Sequence, residues 1–176
     1  MSKRTLLAIP AALLLAACGG SDGATGPTEN PGQQGTFTGA VAGSLSKSVT
    51  GEAVFGTSQS EGGFVLALGN DDDGFIFARE VAGAPGVGTH PVYDLAGAED
   101  EEEVPTNAIS GVFGIEVGGV AYLCATSGGT MTVAVSTAGR FEGSLNVTAD
   151  CTAGAEGSEK SITLTGPFKA IGGQVD

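Results

Sequence analysis

From residue 141 the chain alternates: Phe141, Gly143, Leu145, Val147, Ala149 and Cys151 fall on one side, and Glu142, Ser144, Asn146, Thr148 and Asp150 on the other. A period of two places these sets on opposite faces of a pleated strand, so the segment predicts a half-buried β-strand. Ile162, Leu164, Gly166, Phe168 and Ala170 repeat the pattern against Ser161, Thr163, Thr165 and Lys169. Pro167 falls on the outward side there, which predicts an edge position or a bulge. Shorter alternating sets are Met131, Val133 and Val135, and Val120, Tyr122 and Cys124. Further upstream Phe37 with Val41, then residues 49–55, 64–68 and 75–79, also read as short strands.

Turn signals separate these segments: Gly62-Gly63, residues 70–74, Gly118-Gly119, Gly128-Gly129 and Ala138-Gly139. Links this short join antiparallel strands, because a parallel pair needs a long crossover. About eight to ten strands at roughly ten-residue spacing predict an all-β domain, either an antiparallel β-sandwich or an up-and-down β-barrel. Periodicity alone does not separate the two. One stretch, residues 81–106, does not alternate; it holds Pro85, Pro91, Pro105 and the acidic run 99–103, with a short strand expected around Val92 and Tyr93.

The N-terminus follows a different logic. Lys3 and Arg4 precede an apolar stretch, residues 6–17, broken only by Pro10. About a dozen residues are too few to span a bilayer, which takes about 20, but they suit the helical apolar region of an export signal. The stretch ends Leu15-Ala16-Ala17-Cys18 and resembles the lipobox of bacterial lipoproteins. That resemblance implies cleavage before Cys18, a diacylglyceryl group on its thiol, and a further acyl chain such as palmitate on the new amine. Gly19 stands where an aspartate would signal inner-membrane retention in that family, so the resemblance implies the outer membrane. The expected organisation is a signal peptide (residues 1–17), the lipidated Cys18 with a Gly/Pro-rich flexible tether (residues 18–35), and one β-domain (residues 36–176). Beyond the lipobox the layout is similar to uncharacterised envelope lipoproteins: a Gly-rich tether, then strands punctuated by Phe and Gly, ending in a "GPFKA" strand.

Charge narrows the partners. All 20 acidic residues lie after residue 17, against five basic ones, a net charge of −15 for the mature chain. Such a surface repels nucleic acid and anionic lipid, whose binding depends on Lys and Arg. The expected membrane contact is therefore the lipid on Cys18 alone. Cys124 and Cys151 remain, and in an exported chain an even pair predicts one disulfide. With no CxxC pair and a single histidine, His90, no cofactor is expected.

The sharpest local motif is the turn from Gly69 to Gly74. Aligned with a calcium-binding EF loop, Asp71, Asp73 and Glu80 take positions three, five and twelve, while Gly69 stands where position one needs an oxygen ligand. An EF loop lies between helices, and here strands flank it, so the first expectation is a hairpin turn of good turn formers. A looser calcium site on Asp71, Asp73 and Glu80, and another at the acidic run with Asp94, are the metal candidates. His90 and Asp94 are four apart, a spacing without meaning outside a helix. There is no GxSxG elbow and no Trp to platform a sugar, so no catalytic residue is expected. The reading is a membrane-anchored envelope lipoprotein with a non-enzymatic binding or structural β-domain. The alternatives are a carrier of a small apolar ligand in a lipocalin-like barrel, or a calcium-stabilised module.

Overall fold

The computed structural model describes residues 34–58, 63–98, 105–154 and 157–175. The expected signal segment, Cys18, most of the expected tether and the acidic run 99–103 lie outside the described residues. Nine strands form: β1 Thr36–Gly43, β2 Lys47–Ser58, β3 Phe64–Gly69, β4 Gly74–Arg79, β5 Gly88–Pro91, β6 Ser110–Val117, β7 Val120–Ser136, β8 Arg140–Thr152 and β9 Lys160–Val175. Eight of them close a ring in the order β1-β2-β3-β4-β6-β7-β8-β9, and β9 pairs back onto β1. Every neighbour in that ring is antiparallel. The domain is thus an up-and-down barrel rather than a sandwich.

Register fixes the barrel's width. Paired residues lead from Thr36 through Glu52, Gly69, Gly74, Gly114 and Leu123 to Thr152. Continuing through β9, the path returns to β1 about ten residues from its start, a stagger that tilts the strands steeply. Eight strands at such a tilt enclose a space that side chains can fill. All eight phenylalanines point into it and are buried. The two aliphatic sets flagged by alternation on β8 and β9 point inward as expected: Leu145, Val147 and Ala149 face the core with Ile162, Leu164 and Ala170.

Three departures from the sequence expectation are instructive. The Gly128-Gly129 pair is not a turn; both residues have positive φ and sit in a bulge inside the 17-residue β7. The bulge shifts register between Thr126 and Gly128, so the inward set changes from Cys124 and Thr126 to Met131 and Val133. Pro167 is not at an edge, since β9 lies between β1 and β8. The ladder to β1 instead skips Pro167 and Gly166, where a side chain on Gly166 would collide with the Thr38 carbonyl. Finally β6, which the sequence reading passed over, completes the ring. The short β5 lies beside it on the same edge of β7 and ends at Pro91, just before the expected centre at Val92 and Tyr93.

Two ends can be distinguished. At the end where β1 begins, β2 and β9 close over it and pair directly in parallel, Val54 with Ile171 through Ser58 with Val175. Gly35 sits in that fork, where any side chain would strike the Ala53 and Lys169 carbonyls. The opposite end carries the β1–β2, β3–β4, β6–β7 and β8–β9 turns. The β6–β7 turn is a two-residue loop, Gly118-Gly119, with φ of 62° and 78°, the positive angles that a type I′ hairpin requires.

Candidate functional site

The barrel interior is the first place to look for a ligand, and it is occupied by rings. Phe37, Phe75, Phe113 and Phe77 form one chain of contacts, with centroids 5.3–5.7 Å apart. Phe55, Phe64, Phe141 and Phe168 form another, 4.9–6.4 Å apart. These are the separations of packed aromatic pairs. Cys124 and Cys151 are direct cross-strand partners on β7 and β8 and are joined by a disulfide, both half-cystines buried, near the turn-bearing end.

Only two polar side chains are fully buried among the described residues, Asp73 and Thr126, and both are satisfied. The Thr126 hydroxyl donates to the Tyr93 carbonyl at 2.8 Å and accepts the Gly111 amide at 3.2 Å. It stands at the point where β7 changes partner from β6 to β5, and it knits the joint. Asp73 ends the β3–β4 turn. The Lys47 ammonium lies 2.8 Å from its carboxylate and also donates to the Glu116 carbonyl at 2.7 Å. The Glu116 amide donates back to Asp73 Oδ1 at 3.1 Å. This cluster ties β2, β4 and β6 together at the barrel end.

That arrangement decides how the calcium candidates are used. Asn70 Oδ1 accepts the amides of Asp72 and Asp73 at 2.9 and 3.0 Å, the mark of an Asx-type turn. Asp71 is exposed at the tip, Asp73 is committed to Lys47, and Glu80 follows the far end of β4, about 20 Å along the strand. The fold therefore does not bring Asp71, Asp73 and Glu80 together. Among the described residues no three His, Cys, Asp or Glu side chains are arranged to hold a metal ion. Asp94 accepts the Gly97 amide at 2.7 Å within its own turn. His90 lies on β5 with Nε2 2.7 Å from the Gly86 carbonyl. Arg79 donates to the Gly83 carbonyl, and burial pulls its guanidinium below the ordinary range.

The outer face shows a feature the sequence reading did not single out. A surface groove of about 540 Å³ lies over β2, β3 and β4, lined among others by Glu52, Val54, Ala67, Gly69 and Asp71. A second of about 360 Å³ adjoins it across Gly74, Gly114 and Glu116. The signal was present: Phe64-Val65-Leu66-Ala67-Leu68 and Phe75-Ile76-Phe77 are continuous apolar runs, so both faces of β3 and β4 are apolar. Compared with known proteins, the chain matches no family model, no curated protein and no solved structure.

Proposed function

We propose that this chain is a lipid-anchored envelope protein whose filled, non-enzymatic barrel works through its outer surface. The observation that carries the surface reading is the aromatic packing: where a carrier of this architecture would hold a molecule, eight phenylalanine rings meet one another. The barrel is also built opposite to a membrane-spanning one, which turns apolar residues to lipid and polar ones inward. Its inner face is Phe, Leu, Ile and Val, while β8, β9 and β1 turn Ser144, Asn146, Thr148, Thr163, Thr165 and Thr38 outward. The barrel thus stands in water, and the lipobox with its long tether supplies the membrane attachment. Two or more acyl chains anchor stably where one is marginal.

The test is fractionation of the full chain and of Cys18→Ser, with labelled palmitate fed to the producing cells. Wild type should incorporate label and sediment with membranes, whereas Cys18→Ser should lose both properties and remain folded. Equal membrane retention by Cys18→Ser would sink the anchor.

A second reading has the topology in its favour, since an eight-stranded up-and-down barrel is the lipocalin-like form that holds small apolar molecules. Here a ligand would have to displace the rings. Titration with a fluorescent fatty acid separates the two: saturable uptake at micromolar concentration supports the carrier and counts against the filled barrel.

A further inference from the structure

The barrel's exterior is divided into two unlike halves. On β1, β8 and β9 it is mainly polar, with Thr38, Ser144, Asn146 and Lys169 outward beside Ala40 and Ala42. On the other side, direct cross-strand partners form an unbroken apolar row: Val54 on β2, Ala67 on β3, Ile76 on β4, Val112 on β6 and Ala125 on β7. Val65 lies beside this row and Leu123 on its other flank; the five large residues are 41–68% exposed. Next to the row runs a second register line, Glu52, Gly69, Gly74, Gly114 and Leu123, in which three adjacent strands present glycine. That line is the floor of the two adjoining grooves.

Two of these glycines are not demanded by the fold. Gly69 has φ 139° and a side chain there would collide with the Asp73 carbonyl. Gly74 and Gly114 have no positive φ, pair in regular register, and a Cβ on either would meet nothing within 4 Å. Glycine weakens a strand and is found at bulges, at barrel bends and where another chain or ligand comes close; the regular register at Gly74 and Gly114 leaves out a bulge. The rim adds a sign. Glu52, Asp71, Asp72 and Glu116 line the groove along its turn-bearing side and are exposed, while Lys47 is already paired with Asp73.

We propose that this face is a docking groove for an extended, basic polypeptide segment carrying apolar side chains between its Lys or Arg residues. The apolar row takes the segment's hydrophobic side chains, the glycine line receives its backbone, and the four carboxylates take its cations. The groove crosses four strand spacings, about 19 Å, room for roughly six extended residues. Other occupants fit less well. A second copy would set carboxylates against carboxylates, a juxtaposition that like charges disfavour. Anionic lipid meets the same repulsion. Strand addition has no free edge at this face, because β2, β3, β4, β6 and β7 are each paired on both sides there. The inference rests on the surface-binding reading of the barrel and is independent of the anchor.

The experiment uses the full chain in zwitterionic nanodiscs and fluorescence anisotropy with three labelled octapeptides: alternating Val and Lys, alternating Ser and Lys, and alternating Val and Glu. The Val/Lys peptide should bind at least about tenfold more tightly than either control. Gly114→Val fills the groove at a position with open space, and should weaken binding at least about fivefold without lowering the melting temperature. Glu52→Gln with Glu116→Gln should weaken it similarly and flatten its salt dependence. Equal binding of the Ser/Lys peptide, indifference to Gly114→Val, sedimentation as a dimer, or binding to added anionic vesicles would overturn the proposal. Fatty-acid titration of the same sample tells the failures apart: uptake there defeats the surface-binding reading itself, whereas no uptake and no peptide preference defeats the groove alone.

Discussion

Truncating Phe141 to alanine tests whether the barrel is as full as its geometry indicates. Phe141 sits at the centre of one aromatic cluster, 4.9 Å from Phe64, 5.7 Å from Phe55 and 5.5 Å from Phe168 between ring centroids. A buried Phe→Ala change costs about 3–5 kcal/mol through lost transfer energy and the cavity left behind. Three aromatic partners, each worth about 0.5–1.5 kcal/mol beyond area, place Phe141 in the upper part of that range, about 4–5 kcal/mol. Phe37, which has one close ring partner, Phe75 at 5.7 Å, belongs nearer about 3 kcal/mol. For a domain of this size, about 4 kcal/mol corresponds to a melting point roughly 15 °C lower. Urea denaturation should show the midpoint falling at constant slope for Phe141→Ala, with a smaller fall for Phe37→Ala. The new cavity is lined by carbon and should stay dry, so toluene should raise the melting point of Phe141→Ala and leave wild type unchanged. A loss below about 1.5 kcal/mol, or a wild-type response to toluene, would mean that the interior already holds free space. The filled-barrel argument would then fail and the carrier reading would gain.

The remaining predictions concern the end of the barrel that carries the short turns. Replacing Cys124 and Cys151 together with alanine should lower stability by about 3–4 kcal/mol, because the bridge closes a loop between residues 27 apart; urea midpoints of the oxidised wild type and the double variant measure it. Asp73→Ala strands the Glu116 amide and removes the partner of Lys47, and should cost about 1–3 kcal/mol. Since the same carboxylate cannot serve a calcium ion while it holds Lys47, the thermal midpoint should be identical with calcium and with chelator. A clear rise with calcium would refute the assignment of Asp73 as a structural residue.

The alternation on β8 and β9 was legible because each strand has water on one side and core on the other, so every second residue reports its face. The same rule made Cys151 readable as an inward half-cystine. Closure was not legible, because a strand in a sandwich and a strand in a barrel have the same period. β6 was missed since Gly111 and Gly114 interrupt an otherwise plain alternation of Phe113 and Ile115 with Val112 and Glu116. The bulge at Gly128-Gly129 was mistaken for a turn for a related reason. Both structures need positive φ, and only the strand partner on either side, β6 before it and β5 after it, shows that the chain continues straight.

The outer groove follows from combining two facts that neither periodicity nor architecture supplies alone. A continuous apolar run such as residues 64–68 ordinarily belongs to a strand covered on both faces. A barrel has no second layer: its strands have one covered face, and the other meets solvent. Once the ring closes, the outward half of each continuous run, Val65 and Ala67 on β3 and Ile76 on β4, is left bare. In a chain of net charge −13, whose other strands place mainly polar residues on the same surface, nothing about solubility accounts for leaving five large apolar side chains together on one face. Nor does the fold explain glycine at 74 and 114, where a strand former would fit without contact. Both oddities fall on the same face, in adjacent register lines, with carboxylates along the turn-bearing side. An extended segment that sets apolar side chains on one side of its backbone and basic ones on the other accounts for all three.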